Sequence, residues 1–403
     1  MSDESLSLRD LWRHPLRLQV LAFALIRLVL NTLYRMVYPF LPVFGRGLGV
    51  DLGTLSLAFT ARSALGAFGP LLASVADSRG RKAGMLFGML LFSGGAAVVV
   101  FWPTFAGFFL ALVLTVLGKY VFDPAMQAYL GDRVAYRQRG TILAVTELGW
   151  SFSFILGVPL MGFIIARGGW MAPFPLLALL GLLSVAVLAR MLPRDPAPQD
   201  GRPGLRRNLR AVVTYPPALA ALSIGLAATV GNEVVNLVFG VWMEDSFGLQ
   251  IAALGAAAAV LGLAELSGEV LAGGLTDRLG KPLAVGLGLA LNSLAALALP
   301  FLGVTLYGAL FGLFLFYITF EFTLVSLIPM MTEVLPSARA TLLAANVAAL
   351  SLGRAFGALI APPLYGYGIL ASGLAALAFN LLALFCLRAL QRGSQRVSER
   401  DGV

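Results

Sequence analysis

The sequence predicts an all-α integral membrane protein of twelve transmembrane helices, arranged as two six-helix halves. Three observations predict this fold class: the composition, the number of long apolar runs, and a repeat at an offset of 200 residues. The 403 residues are 59% hydrophobic and only 12% charged, whereas soluble domains average about 45–50% apolar and about 25% charged residues. A soluble core cannot bury this much apolar sequence, so the chain belongs in a bilayer.

Twelve apolar runs are long enough to cross a bilayer, because a spanning helix needs about 20 mostly apolar residues. Membrane β-strands would be about ten residues long with alternating polarity, and no run alternates in that way. The first run has no small-residue cleavage site, so we expect it to remain as a helix. The runs, numbered here as spans 1 to 12, are 17–44, 52–76, 83–101, 105–131, 140–166, 171–191, 215–243, 250–275, 283–302, 305–332, 340–366 and 369–389.

The lysines and arginines predict how the chain is oriented. Twenty-two of the 29 lie in the terminal segments, in the loops after even-numbered spans, or within two residues of the span ends beside them; together they form the arginine-rich face. Only Arg46 and Arg167 lie in loops on the opposite, arginine-poor face. Because cytoplasmic loops collect cations, we expect both termini in the cytoplasm. The net charge of +9 therefore reflects topology and not binding to nucleic acid. The other five cations, inside spans, are Arg27, Arg35, Arg62, Lys119 and Arg354.

A repeat divides the chain into two halves. The charged turn DSRGRK at 77–82 returns as DRLGK at 277–281, and RGTILA at 139–144 returns as RATLLA at 339–344. Both matches have the same offset of 200 residues, and neither needs a gap. The proline-, glycine- and arginine-rich composition between the halves is typical of a tether. We therefore expect an N-terminal half at 1–191, a basic cytoplasmic linker at 192–214, and a C-terminal half at 215–403 that ends in a short, polar, frayed cytoplasmic tail.

The turn at 77–82 resembles the signature of the major facilitator superfamily, Gly-x-x-x-Asp-[Arg/Lys]-x-Gly-[Arg/Lys]-[Arg/Lys]. The first copy departs from the signature with Ala73 and Ser78, and the second copy ends with Pro282 where a cation is usual. With the twelve spans and the basic linker, the resemblance covers residues 15–390. The matching residues are Asp77, Gly80, Arg81 and Lys82 in the first copy, and Gly273, Asp277, Arg278, Gly280 and Lys281 in the second.

The resemblance implies two bundles around a central cavity that opens to either side in turn. Spans 1, 4, 7 and 10 would line the cavity, and spans 2, 5, 8 and 11 would pack between the halves. The aspartate of the turn would cap the start of span 11, where free backbone amides favour a carboxylate. By residue type, Asp132 suits Arg81 and Glu333 suits Lys281. The expected conformational latch on the arginine-rich face comprises Asp77, Gly80, Arg81, Lys82, Asp132, Asp277, Arg278, Gly280, Lys281 and Glu333.

Span 5 partly resembles the glycine- and proline-rich stretch of the drug–proton antiporters within this superfamily. It carries Gly149, Gly157, Pro159 and Gly162, but it lacks the adjacent Gly-Pro pair. Leu114 stands where those antiporters have an arginine in span 4. This partial resemblance favours export.

Charged residues inside the spans are costly and need a partner or a cavity. Arg27, Asn31 and Arg35 recur every four residues and form one polar stripe on span 1. We expect Arg27 to pair with Asp123, and Arg35 to pair with Glu233 near the arginine-poor face; local pairing with tyrosines or carbonyls is the alternative. The acids Glu147, Glu265 and Glu269 of spans 5 and 8 would crowd together. The predicted cavity residues are Arg27, Asn31, Arg35, Lys119, Asp123, Glu147, Asn232, Glu233, Asn236, Tyr317, Glu321 and Arg354.

These observations predict a secondary active transporter of the cytoplasmic (inner) membrane that works by alternating access. We expect proton coupling, a small amphipathic or organic solute, and export. The expected partners are that solute and the bilayer, with a monomeric protein, no nucleic acid and no cofactor other than the proton. The chain has no phosphate-binding loop motif, and one Cys and one His form neither a metal cluster nor a nucleophile pair, so it is not predicted to be an enzyme.

Two alternatives stay open at this stage. The first is a carrier of an anionic or lipid-like substrate that Arg27, Arg35 and Lys119 would bind. The second is a membrane sensor or scaffold on the same fold that transports nothing.

Overall fold

The computed structural model describes residues 16–69, 80–134, 136–193 and 205–401, which are almost entirely helical. Eleven helices in these ranges are long and apolar enough to cross a membrane. The remaining predicted span, span 2, is described only as Leu52–Ala64 with a 3-10 continuation at Leu65–Phe68. The other helices are Leu16–Met36 and Leu41–Leu48 in span 1, Arg81–Phe101 in span 3, Phe105–Arg133 in span 4, Tyr136–Phe152 and Val158–Gly168 in span 5, Pro173–Met191 in span 6, Pro216–Asn236 and Phe239–Phe247 in span 7, Ile251–Leu279 in span 8, Lys281–Leu302 in span 9, Leu306–Val334 in span 10, Arg339–Tyr365 in span 11 and Ile369–Asp401 in span 12.

Three helices begin at polar side chains that accept a hydrogen bond from a free backbone amide, as N-caps do. Thr104 before span 4 accepts from the amide of Gly107 at 3.3 Å, and Thr305 before span 10 accepts from Gly308 at 3.2 Å. Asp51 before span 2 accepts from the amide of Thr54 at 2.6 Å. This hydrogen bond holds the pKa of the Asp51 carboxyl below its ordinary value.

Positive φ angles occur only at glycines in the described chain, and these glycines come in pairs. Gly80 and Gly280 have φ of 100° and 86° and precede the helices of spans 3 and 9. Only glycine adopts such angles readily. The backbone therefore favours glycine at this position in both copies of the turn. The pairs, each 199 or 200 residues apart, are Gly49 with Gly248, Gly80 with Gly280, and Gly169 with Gly368.

Spans 1 and 7 are each broken into two helices, where the sequence predicted continuous runs at 17–44 and 215–243. The first break contains Pro39, which has no N–H to donate to the helix. The second break lies against it, because a Cβ on Gly240 would be only 2.4 Å from the carbonyl oxygen of Pro39. The halves therefore meet backbone to backbone near the arginine-poor face.

Span 5 contains a π-helical turn at Ser153–Gly157 that the sequence analysis did not predict. Pro159 follows it and cannot donate the α-helical hydrogen bond to the carbonyl of Ile155. A wider turn is a common response to such a missing bond, and π-turns recur at functional sites. The turn shapes one wall of the cavity described below.

Helices extend into the predicted linker and tail. Residues 194–204 of the predicted linker lie outside the described chain, but Leu205–Thr214 forms a helix. Its Val212 is buried in one cluster with Ala338 and Leu342 of the C-terminal half. Apolar packing therefore fixes this part of the linker. The helix of span 12 continues to Asp401, so the tail after Arg388 is helical in the described chain.

Candidate functional site

A cavity of about 100 Å³ lies between the two halves. Spans 1, 5, 7, 8, 10 and 11 contribute its walls. Seven predicted cavity residues line it: Arg35, Asn232, Glu233, Asn236, Tyr317, Glu321 and Arg354. The other lining residues are Tyr34, Tyr38, Trp150, Phe154, Glu265, Phe320 and Leu324.

The other five predicted cavity residues form a separate ion-pair cluster within the N-terminal half. Arg27 pairs with Asp123 at 3.2 Å, as expected, and forms a two-point contact with Glu147 at 2.6 and 2.8 Å. Lys119 contacts Asp123 and Asn31, each at 2.7 Å. Two cations and two carboxylates balance one another here. Span 4 is not among the walls of the cavity described above, and Lys119 and Asp123 of its polar stripe form ion pairs within the N-terminal half. The expectation that span 4 lines a cavity stays a prediction.

Arg35 pairs with Glu265 of span 8 and not with Glu233, which corrects the predicted bridge. Its Nη2 lies 2.5 Å from Glu265 Oε1, and its Nη1 donates to the carbonyl oxygen of Trp150 at 3.0 Å. The guanidinium carbon also lies 3.5 Å from the ring centre of Phe154, in the π-turn. Both charged side chains are at least nine-tenths buried. This ion pair thus links span 1 of the N-terminal half to span 8 of the C-terminal half.

Glu233 takes part in a different chain of hydrogen bonds that runs across the molecule. Arg62 donates to the Tyr38 hydroxyl at 2.9 Å, and Tyr38 donates to Glu233 Oε1 at 3.0 Å. Asn236 donates to Glu233 Oε2 at 3.1 Å and accepts from the Tyr317 hydroxyl at 2.6 Å. The two carboxylate oxygens of Glu233 are therefore occupied by neutral donors. The chain connects spans 2, 1, 7 and 10.

Two charged side chains of the cavity have no direct partner. Glu321 and Arg354 are partly exposed to the cavity, and neither forms a hydrogen bond or ion pair with any described residue. Two fully buried atoms on neighbouring side chains, Glu265 Oε2 and Asn232 Nδ2, also have no hydrogen-bond partner among the described residues. Buried polar atoms are usually satisfied, so such exceptions point to a ligand or water. The cavity offers unused donors and unused acceptors.

The three cations that were expected to bind an anionic substrate are already paired with carboxylates of the protein. Arg27, Arg35 and Lys119 all contact carboxylates in this conformation. Arg354 is the cation of the described cavity that has no such contact. The predicted crowding of acids is present, because Glu269 lies within electrostatic reach of both Glu265 and Glu147. Glu147 also pairs with Arg27, and Glu269 accepts a hydrogen bond from Ser151 at 3.0 Å.

The halves are held together at the arginine-poor face. Arg46 lies 2.7 Å from Glu244, and Ser56 donates to the carbonyl oxygen of Ala358 at 2.5 Å. Tyr120 and Ser351 contact one another nearer the middle of spans 4 and 11, at 3.1 Å. These contacts close the cavity toward the arginine-poor face.

The predicted latch is described only in part, since Asp77 lies outside the described residues. The expected pairs Arg81 with Asp132, at 3.5 Å, and Lys281 with Glu333 are present. Lys82 instead donates to the carbonyl oxygens of Ala189 and Leu192 at the end of span 6, where the helix dipole favours a cation. Asp277 and Arg278 are exposed and contact no described residue through a hydrogen bond or ion pair.

Sequence reasoning did not select several residues that shape the cavity. Arg62 is 1% exposed and carried a usable signal, because an arginine inside an apolar run needs a partner. Glu265 carried the same signal. Tyr38 and Trp150 carried none, because aromatic residues are common throughout such spans.

Comparison with known proteins places this architecture in a family. The sequence profile of the Major Facilitator Superfamily matches residues 23–358. The chain is 25% identical over 352 residues to the MFS-type transporter YwfA of Bacillus subtilis (strain 168), covering 86% of this chain and 85% of that protein. It is 26% identical over 322 residues to the inner membrane transport protein YdhP of Escherichia coli (strain K12), covering 79% and 81%.

A solved structure shows the same fold. It is a bacterial homolog of the human lysosomal transporter Spinster, in an inward-facing and unoccupied conformation, with a TM-score of 0.74 and 17% identity. The match covers 93% of this chain and 96% of that one. The profile match spans most of the chain and agrees with the apolar helices. The chain therefore belongs to the Major Facilitator Superfamily, and it is a multi-pass secondary transporter and not an enzyme.

Proposed function

We propose that this transporter exchanges a small amphipathic organic solute for protons and exports the solute from the cytoplasm. The observation that carries the proposal is Glu321, a carboxyl group that faces the cavity and has no partner among the described side chains. Acidic residues at such depth commonly serve as proton carriers, because they are costly otherwise. Glu321 is the proposed carrier here.

The charges of the cavity support a single exchangeable proton. Its charged lining residues are two arginines, Arg35 and Arg354, and three glutamates, Glu233, Glu265 and Glu321. With all five ionised, the cavity has one excess negative charge. One proton restores neutrality, and so does one positive group of a solute. A proton and a positive group of the solute would therefore compete for the same carboxyl group, which is the basis of the proposed exchange.

The movement proposed for this exchange is a rocking of two six-helix halves, 1–191 and 215–403, about the cavity. The three pairs of positive-φ glycines support two equivalent halves of a twelve-helix, pseudo-symmetric protein. The pairs at Arg81 and Lys281, with Asp77, would act as the latch on the arginine-rich face. The cation distribution supports a cytoplasmic location for that face and for both termini, and the proposed membrane is the cytoplasmic (inner) membrane. The proposed unit is a monomer.

Export is favoured by the partial resemblance of span 5 to drug–proton antiporters. The π-turn adds to this, because it places Phe154 and Trp150 of that span at the cavity wall. Aromatic walls bind amphipathic solutes through apolar contact and, for cations, through the ring faces.

Transport can be tested in proteoliposomes with an imposed pH gradient and three tritiated amphipaths of different charge: phenylalanine, tetraphenylphosphonium and benzoate. We expect the wild-type protein to concentrate at least one of them against its gradient. Glu321→Gln should still exchange that solute with itself but should not concentrate it. Asp245→Asn is the matched control, because Asp245 lies outside the cavity and accepts its hydrogen bond from Tyr365 of the same half; it should retain gradient-driven transport.

Gradient-driven accumulation by Glu321→Gln would show that the proton is carried elsewhere. Failure of the wild-type protein to move any of the three solutes would count against an amphipathic substrate. Reversal of the imposed gradient distinguishes exchange in opposite directions from co-transport.

A further inference from the structure

The unused hydrogen-bonding groups of the cavity fall into two sets of opposite character. The donors are Arg354 and Asn232 Nδ2, and the acceptors are Glu321 and Glu265 Oε2. We propose that the cavity binds a zwitterionic amphipath, an α-amino acid or short peptide with an aromatic or branched apolar side chain. This inference rests on the proposed transport function and names its substrate class.

The donor set lies where spans 7 and 11 pack closely together. A Cβ on Gly353 would be 3.0 Å from Thr229 Cβ, and one on Gly357 would be 2.6 Å from Glu233 Cβ. Arg354, between these glycines, therefore lies beside the stretch of span 7 from Thr229 to Glu233, which contains Asn232. Asn232 is only 6% exposed, and its Nδ2 has no acceptor among the described residues. A guanidinium beside an amide donor suits a carboxylate, which accepts several hydrogen bonds in a plane.

The acceptor set lies where spans 8 and 10 pack. A Cβ on Gly268 would be 2.9 Å from Glu321 Cβ, and Glu265 precedes Gly268 by about one helical turn. Glu265 Oε1 is occupied by Arg35, whereas its buried Oε2 has no partner in the described chain. An ammonium group has three donors and no acceptor, so it suits two carboxylates. The proton and the ammonium group would compete for Glu321, which links binding to proton release.

A solute with one charge would satisfy only one of these sets. A simple cation leaves Arg354 and Asn232 unpaired, and a simple anion leaves Glu265 Oε2 unpaired beside a further negative charge. Unpaired polar groups in a buried site cost free energy. Arg354 and Glu321 do not pair with each other, although both line the same cavity. They are therefore free to hold the two ends of one molecule.

The apolar part of the solute has an aromatic surface to contact. Trp150 and Phe154 of span 5 and Phe320 of span 10 line the same cavity. Phe320 is 7% exposed and Phe154 is 1% exposed, so both are fixed by packing. Rigid aromatic walls favour an aromatic or branched side chain over a polar one.

Binding can be measured by isothermal calorimetry on the purified full-length protein in detergent, without a gradient. The probes are phenylalanine, phenethylamine, which lacks the carboxylate, and 3-phenylpropanoate, which lacks the ammonium group. We expect phenylalanine to bind at least about tenfold more tightly than either analogue, because each analogue leaves one polar set unpaired. Stronger binding of phenethylamine would assign the cavity to cations, and stronger binding of the propanoate would assign it to anions. Either result, equal binding of all three, or no binding, would overturn the proposal.

Substitutions test which set of polar groups binds each end of the solute. Arg354→Met should remove the preference for phenylalanine over phenethylamine, and Glu321→Gln should remove the preference over 3-phenylpropanoate. Asn232→Leu is a milder second test of the donor set if Arg354→Met does not fold, and Asp245→Asn is the control outside the cavity. Loss of all binding equally in both charge variants would contradict two separate sets. A protein that binds the zwitterion but does not couple it to protons would refute the proposed transport mechanism and leave this inference standing.

Discussion

Tyr38 donates its hydroxyl hydrogen to Glu233 at 3.0 Å, and this hydrogen bond joins the N-terminal half to the C-terminal half. Tyr38 is 3% exposed and Glu233 is 1% exposed, so both partners of this hydrogen bond are almost entirely buried. Because spans 1 and 7 are broken beside these residues, the contact lies at the point where the halves meet.

Tyr38→Phe should destabilise the protein, because it removes one of the two donors to the buried Glu233 carboxylate. Leaving a buried acceptor unsatisfied costs about 1–3 kcal/mol. The melting temperature of the purified protein is the measurement. Tyr120→Phe is the control, since its hydroxyl meets Ser351 at 3.1 Å and no carboxylate. An unchanged melting temperature for Tyr38→Phe would mean that the hydrogen bond contributes nothing to stability.

The buried pair of Arg35 and Glu265 should behave differently from an exposed pair. Removing one partner of a buried pair costs about 3–5 kcal/mol, whereas replacing both with apolar residues is often neutral. We therefore expect Arg35→Met and Glu265→Met each to melt well below the double variant. Arg46→Met serves as the exposed control and should cost about 0–1 kcal/mol, because its side chain is 59% exposed. Additive effects of the two buried substitutions would contradict the pairing.

The N-cap of span 2 should make stability depend on pH at the acidic end. The hydrogen bond from Thr54 lowers the pKa of Asp51, so the ionised carboxyl is favoured in the folded state. Its contribution is present above the ordinary aspartate pKa and is lost as the pH falls through the lowered one. Asp51→Ala should therefore melt below the wild type at pH 6, and the difference should shrink below about pH 4.

Asp51→Asn is the control for the cap, because asparagine caps a helix about as well as aspartate and does not titrate. Its melting temperature should stay near that of the wild type at pH 6. A difference between Asp51→Ala and the wild type that is the same at both pH values would exclude the carboxylate as its source.

Closure at the arginine-poor face should depend on Gly240. An alanine Cβ there would lie 2.4 Å from the carbonyl oxygen of Pro39, so the two spans must separate. The test protein has its native cysteine removed by Cys386→Ala and carries the pair Arg46→Cys and Glu244→Cys. A short bifunctional maleimide should join these two cysteines less efficiently after Gly240→Ala. Gly94→Ala is the control, since no atom lies within 4 Å of its added Cβ. Equal cross-linking in both variants would show that the close approach does not hold this face shut.

The sequence was sufficient to predict the membrane helices and some of the ion pairs, for physical reasons. Long apolar runs predict spans because only a helix satisfies its own backbone in a bilayer. Arg27 and Asp123 were predictable because each is costly alone and both lie at similar depth. The partner of Arg35 was not predictable, because Glu233 and Glu265 are both acids in apolar spans. Packing of the halves decides between them, and that packing depends on the breaks in spans 1 and 7.

The sequence likewise predicted some features of the functional side chains and not others. Arg354 and Glu321 were recognised as charges at depth, but sequence alone could not show that they have no partner. That distinction requires the positions of every neighbouring donor and acceptor. Span 4 was assigned to the cavity by the resemblance, whereas its charges are balanced within the N-terminal half. The π-turn has no strong sequence signal beyond Pro159.

The π-turn of span 5 has a consequence for how this cavity changes between related chains. Ser151 and Ser351, before the turn, are 200 residues apart, whereas Gly169 and Gly368, after it, are 199 apart. Under the proposed duplication, span 5 has gained one residue, and a π-turn is how a helix holds an inserted residue. Deleting Ile155 would rotate one part of the helix against the other by about 100°. A single-codon insertion or deletion can therefore redirect an aromatic wall of the cavity while nearly all of its amino acids stay the same.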